Sequence, residues 1–203
     1  VGTSSNGTAS FGASVNILTK NPEEKPYFLT NQSAGSFNTF KHSFEAGTGK
    51  FLNNLLSVSA RYSIINSDGY IDRAFSKLNS YNINALFEKG NTKLRFLTFG
   101  EKKKTYQTWN GIDKATYESN PKFNYSGAIY DANWENIIGF YDNETDNYRQ
   151  NHYHLLWEQK FGKIWNLETT FHLTHGEGYY ENYKQDAKFS KYDLPNIVEN
   201  GNT

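Results

Sequence analysis

Apolar and polar positions alternate along this chain with a period of two. Between Leu55 and Ile64 the even positions Leu56, Val58, Ala60, Tyr62 and Ile64 are apolar or aromatic, and Ser57, Ser59, Arg61 and Ser63 between them are polar. Successive side chains of a strand point to opposite faces, so the pattern predicts a strand with one apolar and one polar side. It recurs from Ser80 to Glu88 with Tyr81, Ile83, Ala85 and Phe87 facing one way and Leu86 as the exception. It recurs again from His152 to Lys160 (Tyr153, Leu155, Trp157) and from Trp165 to Leu173 (Trp165, Leu167, Phe171, Leu173). Weaker alternation at Phe40–Ala46, Leu94–Gly100 and Tyr27–Ser36 completes a set of seven predicted strands. The facing expected from this pattern puts Val58, Tyr62, Ile83, Phe87, Leu155, Trp157, Leu167 and Phe171 on one surface. Ser57, Arg61, Asn82, Glu158 and Glu168 belong to the other.

The connections sort by length. Short, glycine-bearing ones lie near Gly47–Asn54, Lys89–Thr92 and Phe161–Lys163, as tight hairpins require. Longer ones lie near Ser67–Phe75, across 101–148 and across 176–203. Short turns at one end and long loops at the other describe an outer-membrane barrel. For the hairpin at Phe161–Lys163, pairing residues whose numbers sum to 324 keeps both faces consistent. Trp157 then meets Leu167, Leu155 meets Thr169, Glu158 meets Asn166 and His152 meets His172.

Composition narrows the classes. The 203 residues carry 21 basic and 21 acidic side chains, which leaves no electrostatic footprint for nucleic acid. With no cysteine, disulfides, thiol nucleophiles and thiolate metal sites are excluded. A mean hydropathy of −0.78 with 17% aromatic residues describes a polar yet folded chain. Such a chain buries its apolar atoms on one face of a sheet or in lipid. No apolar run approaches the length of a membrane helix and no signal peptide opens the sequence, while the absence of methionine suggests an internal or processed start.

The opening VGTSSNGTASFGASVNILTKNP, with Gly2, Gly7, Phe11, Gly12 and the strand-like Ser14–Ile17, resembles the end of the plug domain in TonB-dependent outer-membrane receptors. SDGYIDRAF at Ser67–Phe75, YDNETDNY at Tyr141–Tyr148 and GEGYYENYK at Gly176–Lys184 are similar to outer loops of that family. The resemblance implies an all-β fold: about seven antiparallel strands of a larger transmembrane β-barrel, preceded by the C-terminal end of a plug. Residues 1–22 would be the plug end and 23–203 the first part of the barrel. It further implies residence in the cell outer membrane, contact with lipid, and coupling to the TonB complex through an N-terminal segment missing here. The expected function is active uptake of a scarce, bulky nutrient: siderophore-bound iron, haem, cobalamin or a glycan. The alternative is a secreted β-sandwich that binds carbohydrate through exposed tyrosine and tryptophan.

The candidate ligand-binding residues are the loop aromatics Tyr106, Trp109, Tyr141, Tyr148, Tyr179 and Tyr180, rigid amphipathic rings suited to glycans or iron chelates. Aromatic girdles at the lipid interface compete for the same residues. His152 and His154 share a face and the inferred register brings His172 beside them, a weak candidate for a divalent metal. No carboxylate completes the set, so no metal site and no cofactor is expected. No nucleophile elbow or phosphate loop occurs, so no catalytic residues and no enzymatic activity are expected.

Overall fold

The computed structural model describes residues 19–195. In chain order the strands β1 (Pro26–Gly35), β2 (Thr39–Phe51), β3 (Leu56–Ser67), β4 (Ser76–Lys89) and β5 (Thr92–Tyr106) are followed by the short helix α1 (Lys114–Ser119). Next come the short strands β6 (Ala128–Tyr130) and β7 (Ile137–Phe140), then the long strands β8 (Thr145–Phe161) and β9 (Trp165–Tyr180). Seven of these form one antiparallel sheet in the order β1-β2-β3-β4-β5-β8-β9, and β6 pairs with β7 as a separate hairpin. The seven alternating segments of the sequence are the seven strands of the large sheet. No helix among the described residues is long and apolar enough to cross a membrane. The expected plug residues before Thr19 lie outside the described residues.

The register fixes the faces. One rung runs Phe28, Ala46, Ala60, Ile83, Thr98, Tyr153, Leu173. The rungs on either side add Val58, Ala85, Phe96, Leu155 and Phe171 below, and Phe44, Tyr62 and Tyr81 above. All eight residues expected on the apolar side share this face, and the five expected opposite them share the other. The apolar face is bare: Phe28, Phe44, Tyr62, Phe96, Phe171 and Leu173 are exposed, Phe28 by 69% and Leu173 by 63%. Leu86 and Leu97, on the polar face, are 4% exposed, while Thr98 and Asn151 are polar residues buried on the central rungs of the apolar face. Leu86, which broke the alternation, is therefore a polar-face core residue.

Two expectations need correction. In the β8–β9 hairpin Phe161 pairs with Trp165, so paired numbers sum to 326. Trp157 meets Thr169, Glu158 meets Glu168 and His154, not His152, meets His172. The turn is the three residues Gly162–Ile164 with Gly162 at φ +63, one residue further on than the glycine alone suggested. A shift of two pairs preserves every face, which is why alternation could not detect it. The second correction concerns loop limits. β5 runs on to Tyr106, β8 begins at Thr145 and β9 continues to Tyr180, so the loop is 107–144 and the C-terminal segment starts at Glu181. These strand ends extend past the apolar band, where neither face needs apolar residues and no alternation marks them.

Candidate functional site

Short turns close one end of the sheet, at 52–55, 90–91 and 162–164. The opposite end carries the β1–β2 turn, the β3–β4 loop, the 107–144 loop and the segment after β9, and these four dock onto one another. Arg73 of the β3–β4 loop reaches into the 107–144 loop: its guanidinium carbon lies 3.5 Å from the Phe140 ring centroid and 5.8 Å from that of Tyr106, and it donates to the Asn124 carbonyl. Asn124, 2% exposed, donates back to the carbonyls of Asp72 (3.2 Å) and Gln107 (3.0 Å) and accepts from the Ser126 amide (3.0 Å). Gly127 sits at φ +74, where a Cβ would strike the Tyr106 hydroxyl and approach the Tyr141 carbonyl to 2.9 Å. Glycine is the residue that fits both demands.

The C-terminal segment is tied down by polar side chains. Buried Glu144 accepts from the Tyr183 amide and from Asn182 Nδ2, both at 2.6 Å, while Gln107 donates to the Glu181 carbonyl at 2.8 Å. Gln185 pairs both ways with the Tyr130 backbone, accepting at 2.8 Å and donating at 2.9 Å, as a strand residue would. Two aspartates shape the exposed parts of the cap. Asp113 caps α1, and the Thr116 hydroxyl and amide hold its carboxyl below the usual aspartate range. Asp131 closes the β6–β7 turn, and bonds from the Asn136 side chain and the Glu135 amide lower it likewise.

The six aromatic candidates fall into different settings. Tyr106 is 4% exposed and its hydroxyl donates to the Ser126 (3.1 Å) and Tyr141 (2.7 Å) carbonyls, so it supports the cap from beneath. Tyr141 stacks on Tyr183 at 5.6 Å. Trp109 and Tyr180 meet edge to face at 5.6 Å, both more than 60% exposed, and form an accessible aromatic pair. Tyr179 is exposed on the opposite side of β9, and half-buried Tyr148 lies on the polar face of β8. Sequence reasoning missed two further groups. Tyr130 and Trp134 stack at 5.8 Å on the β6–β7 hairpin. Phe37 and Tyr70 meet edge to face at 5.6 Å with Lys122 Nζ within 5.9 Å and 5.3 Å of their rings. The second group joins three different loops, which no local pattern reveals, and the first lies on a hairpin whose strands are very short.

On the polar face, His154 lies 6.3 Å from both His152 and His172, and Phe99 stacks on His152 at 4.5 Å. Among the described residues no group of three or more His, Asp or Glu is arranged to hold a metal ion. The same face holds the chain ahead of β1. Arg95 donates to Asn84 Oδ1 (3.0 Å), to Thr19 Oγ1 (2.7 Å) and to the Lys20 carbonyl (2.7 Å), and Asn84 Nδ2 donates to that carbonyl too (2.8 Å). An open groove of about 630 Å³ beside this clasp is lined by Asn21, Tyr27, Glu45, Arg61 and Asn82 among others. Neither a protein-family model nor a curated protein matches the sequence.

Proposed function

We propose that this sheet is part of the wall of a transmembrane β-barrel receptor that takes up a scarce, bulky nutrient across an outer membrane with energy delivered by TonB. The observation that carries the reading is the bare apolar face. Trp165 to Leu173 spans nine residues, the length with which a tilted strand crosses a hydrocarbon core. Aromatic residues lie at both margins of the band: Phe161 and Trp165 at the short-turn end, and Phe44, Tyr62 and Tyr81 at the loop end. A contiguous apolar surface of this size on a soluble protein is a contact site or an aggregation hazard. A β-sandwich would cover it with a second sheet; among the described residues nothing covers it, which favours lipid.

Three further features support the assignment. Loops docked into a cap at one end and short turns at the other match the extracellular and periplasmic ends of such barrels. The free edges of β1 and β9 would carry unpaired backbone groups into hydrocarbon, so further strands must close the wall. The Arg95–Asn84 clasp holds the chain before β1 against the polar face, where a plug inside the barrel would lie. In this reading the aromatic pairs Trp109–Tyr180, Tyr130–Trp134 and Phe37–Tyr70 capture the ligand, a siderophore, haem, cobalamin or glycan. Deleting the gene and measuring uptake of each class with and without a functional TonB complex tests the proposal. The expected result is loss of one class, equal to that caused by losing TonB. Unchanged uptake of every class, or loss independent of TonB, overturns it.

A further inference from the structure

Charge is distributed unequally between the two faces of the sheet. The polar face mixes both signs and includes the ion pairs Lys93–Glu158 (3.9 Å) and Lys103–Asp146 (3.2 Å). On the apolar face of the seven strands the charged residues are Lys77, Lys89, Lys102, Lys104, Arg149 and Glu177, five basic and one acidic. Lys89 stands alone at the short-turn end. The other four basic residues gather at the loop end, on neighbouring rungs directly above the apolar band.

Their pairing is unfavourable as it stands. Lys77 sits directly opposite Lys104, and Lys102 directly opposite Arg149. Like charges directly opposed across a ladder repel. None of the four takes part in an ion pair among the described residues, although Glu177 is opposite Arg149. Lys104 Nζ donates to the neutral Asn143 side chain at 2.8 Å, and Lys77 Nζ lies 5.4 Å from the Phe75 ring. Lys102 and Arg149 are exposed, and both line a depression of about 710 Å³ together with Lys104, Asn147, Glu177 and Tyr179.

We propose that Lys77, Lys102, Lys104 and Arg149 form a binding site for the phosphates of a phosphorylated glycolipid in the outer leaflet. The inference rests on the reading that the apolar face meets lipid and the loop end faces outward. A lipid in that leaflet places its acyl chains on the band and its headgroup at the level of these cations. The phosphates then supply the negative charge that the two opposed pairs lack, each cation near the membrane surface adding to the attraction. A planar guanidinium grips phosphate with two parallel bonds and the lysines act as point charges around it.

The test uses the full-length receptor in phosphatidylcholine vesicles, alone or containing bis-phosphorylated lipid A. Lipid retained after detergent extraction is read by native mass spectrometry for the wild type, the double variant Lys102→Gln/Arg149→Gln, and Lys89→Gln at the opposite rim. The wild type and Lys89→Gln should retain lipid A, and the double variant should retain it roughly 30-fold more weakly. In phosphatidylcholine alone the double variant should unfold at the same or higher temperature than the wild type, because it removes repulsion rather than structure. Equal retention by the double variant, or equal retention of dephosphorylated lipid A by the wild type, overturns the proposal while leaving the barrel reading intact. Failure of the wild type to insert into phosphatidylcholine vesicles overturns both.

Discussion

Replacing Arg73 by alanine should undock the 107–144 loop from the rest of the cap without unfolding the sheet. The guanidinium lies 3.5 Å over the Phe140 ring, a largely desolvated cation–π contact of about 2 kcal/mol. Its bond to the Asn124 carbonyl adds about 1.5–3 kcal/mol, as bonds from charged donors do. Against these stands Arg73 Nε, buried without a hydrogen-bond partner, which costs about 1–3 kcal/mol. The net loss on truncation is about 2 kcal/mol, roughly a thirtyfold shift in a local opening equilibrium. Arg73 also sits at φ +62, so Arg73→Gly should recover about 0.5–1 kcal/mol relative to alanine by relieving the left-handed backbone. Arg73→Lys keeps the charge but loses the planar stack and should fall between wild type and alanine. Amide hydrogen exchange reads the effect directly: residues 128–140 should exchange roughly thirtyfold faster in Arg73→Ala, with β3 unchanged as the internal control. Exchange in 128–140 equal to wild type would refute the claim that Arg73 holds the loops together.

Other consequences follow from the same geometry. Val58→Arg should destabilise the membrane-inserted fold by about 2–4 kcal/mol if its rung lies near the midplane, whereas Ser59→Arg on the other face should cost far less; equal losses in vesicle unfolding titrations would remove the facing argument. Arg95→Ala should free the chain at Thr19–Lys20, so trypsin should cut after Lys20 faster than in wild type, and an unchanged rate would mean the clasp holds nothing. Asp113 and Asp131 have lowered carboxyl pKa values, so the support they give α1 and the β6–β7 turn is complete above the ordinary aspartate value of 3.8. That support is lost as pH falls from 3.8 through the lowered values, so the opening of residues 113–120 and 131–136 relative to the rest of the cap should increase only below pH 3.8, and an increase at neutral pH would contradict the assignment.

The faces were legible in the sequence because a strand with one apolar and one polar side alternates strictly, and Leu56–Ile64 does so without interruption. Rung-by-rung pairing was not, since a shift of two residues at Gly162–Ile164 leaves the alternation unchanged. Strand length was underestimated at KKKTY and TDNYRQ, which lie beyond the apolar band, so the backbone ladder continues there without an alternating pattern to mark it. The site was legible in part. Trp109 and Tyr180 stand out as aromatic residues in a polar segment, but their contact joins residues 71 positions apart. Tyr106 looks the same in sequence and is buried, because what hides it is Arg73 from another loop and the backbone around Gly127. The β6–β7 hairpin escaped notice because its strands are only three and four residues long.

The central claim is that one face of this sheet meets hydrocarbon. Because the chain has no cysteine, single cysteines can be placed at each position from 56 to 64 and spin-labelled without background. With the protein in phospholipid vesicles, collision rates with oxygen, which partitions into lipid, and with a water-soluble nickel complex should oscillate out of phase with a period of two. Labels at 56, 58, 60, 62 and 64 should favour oxygen and labels at 57, 59, 61 and 63 should favour nickel. Nickel access at the even positions, or no oscillation at all, would contradict the account.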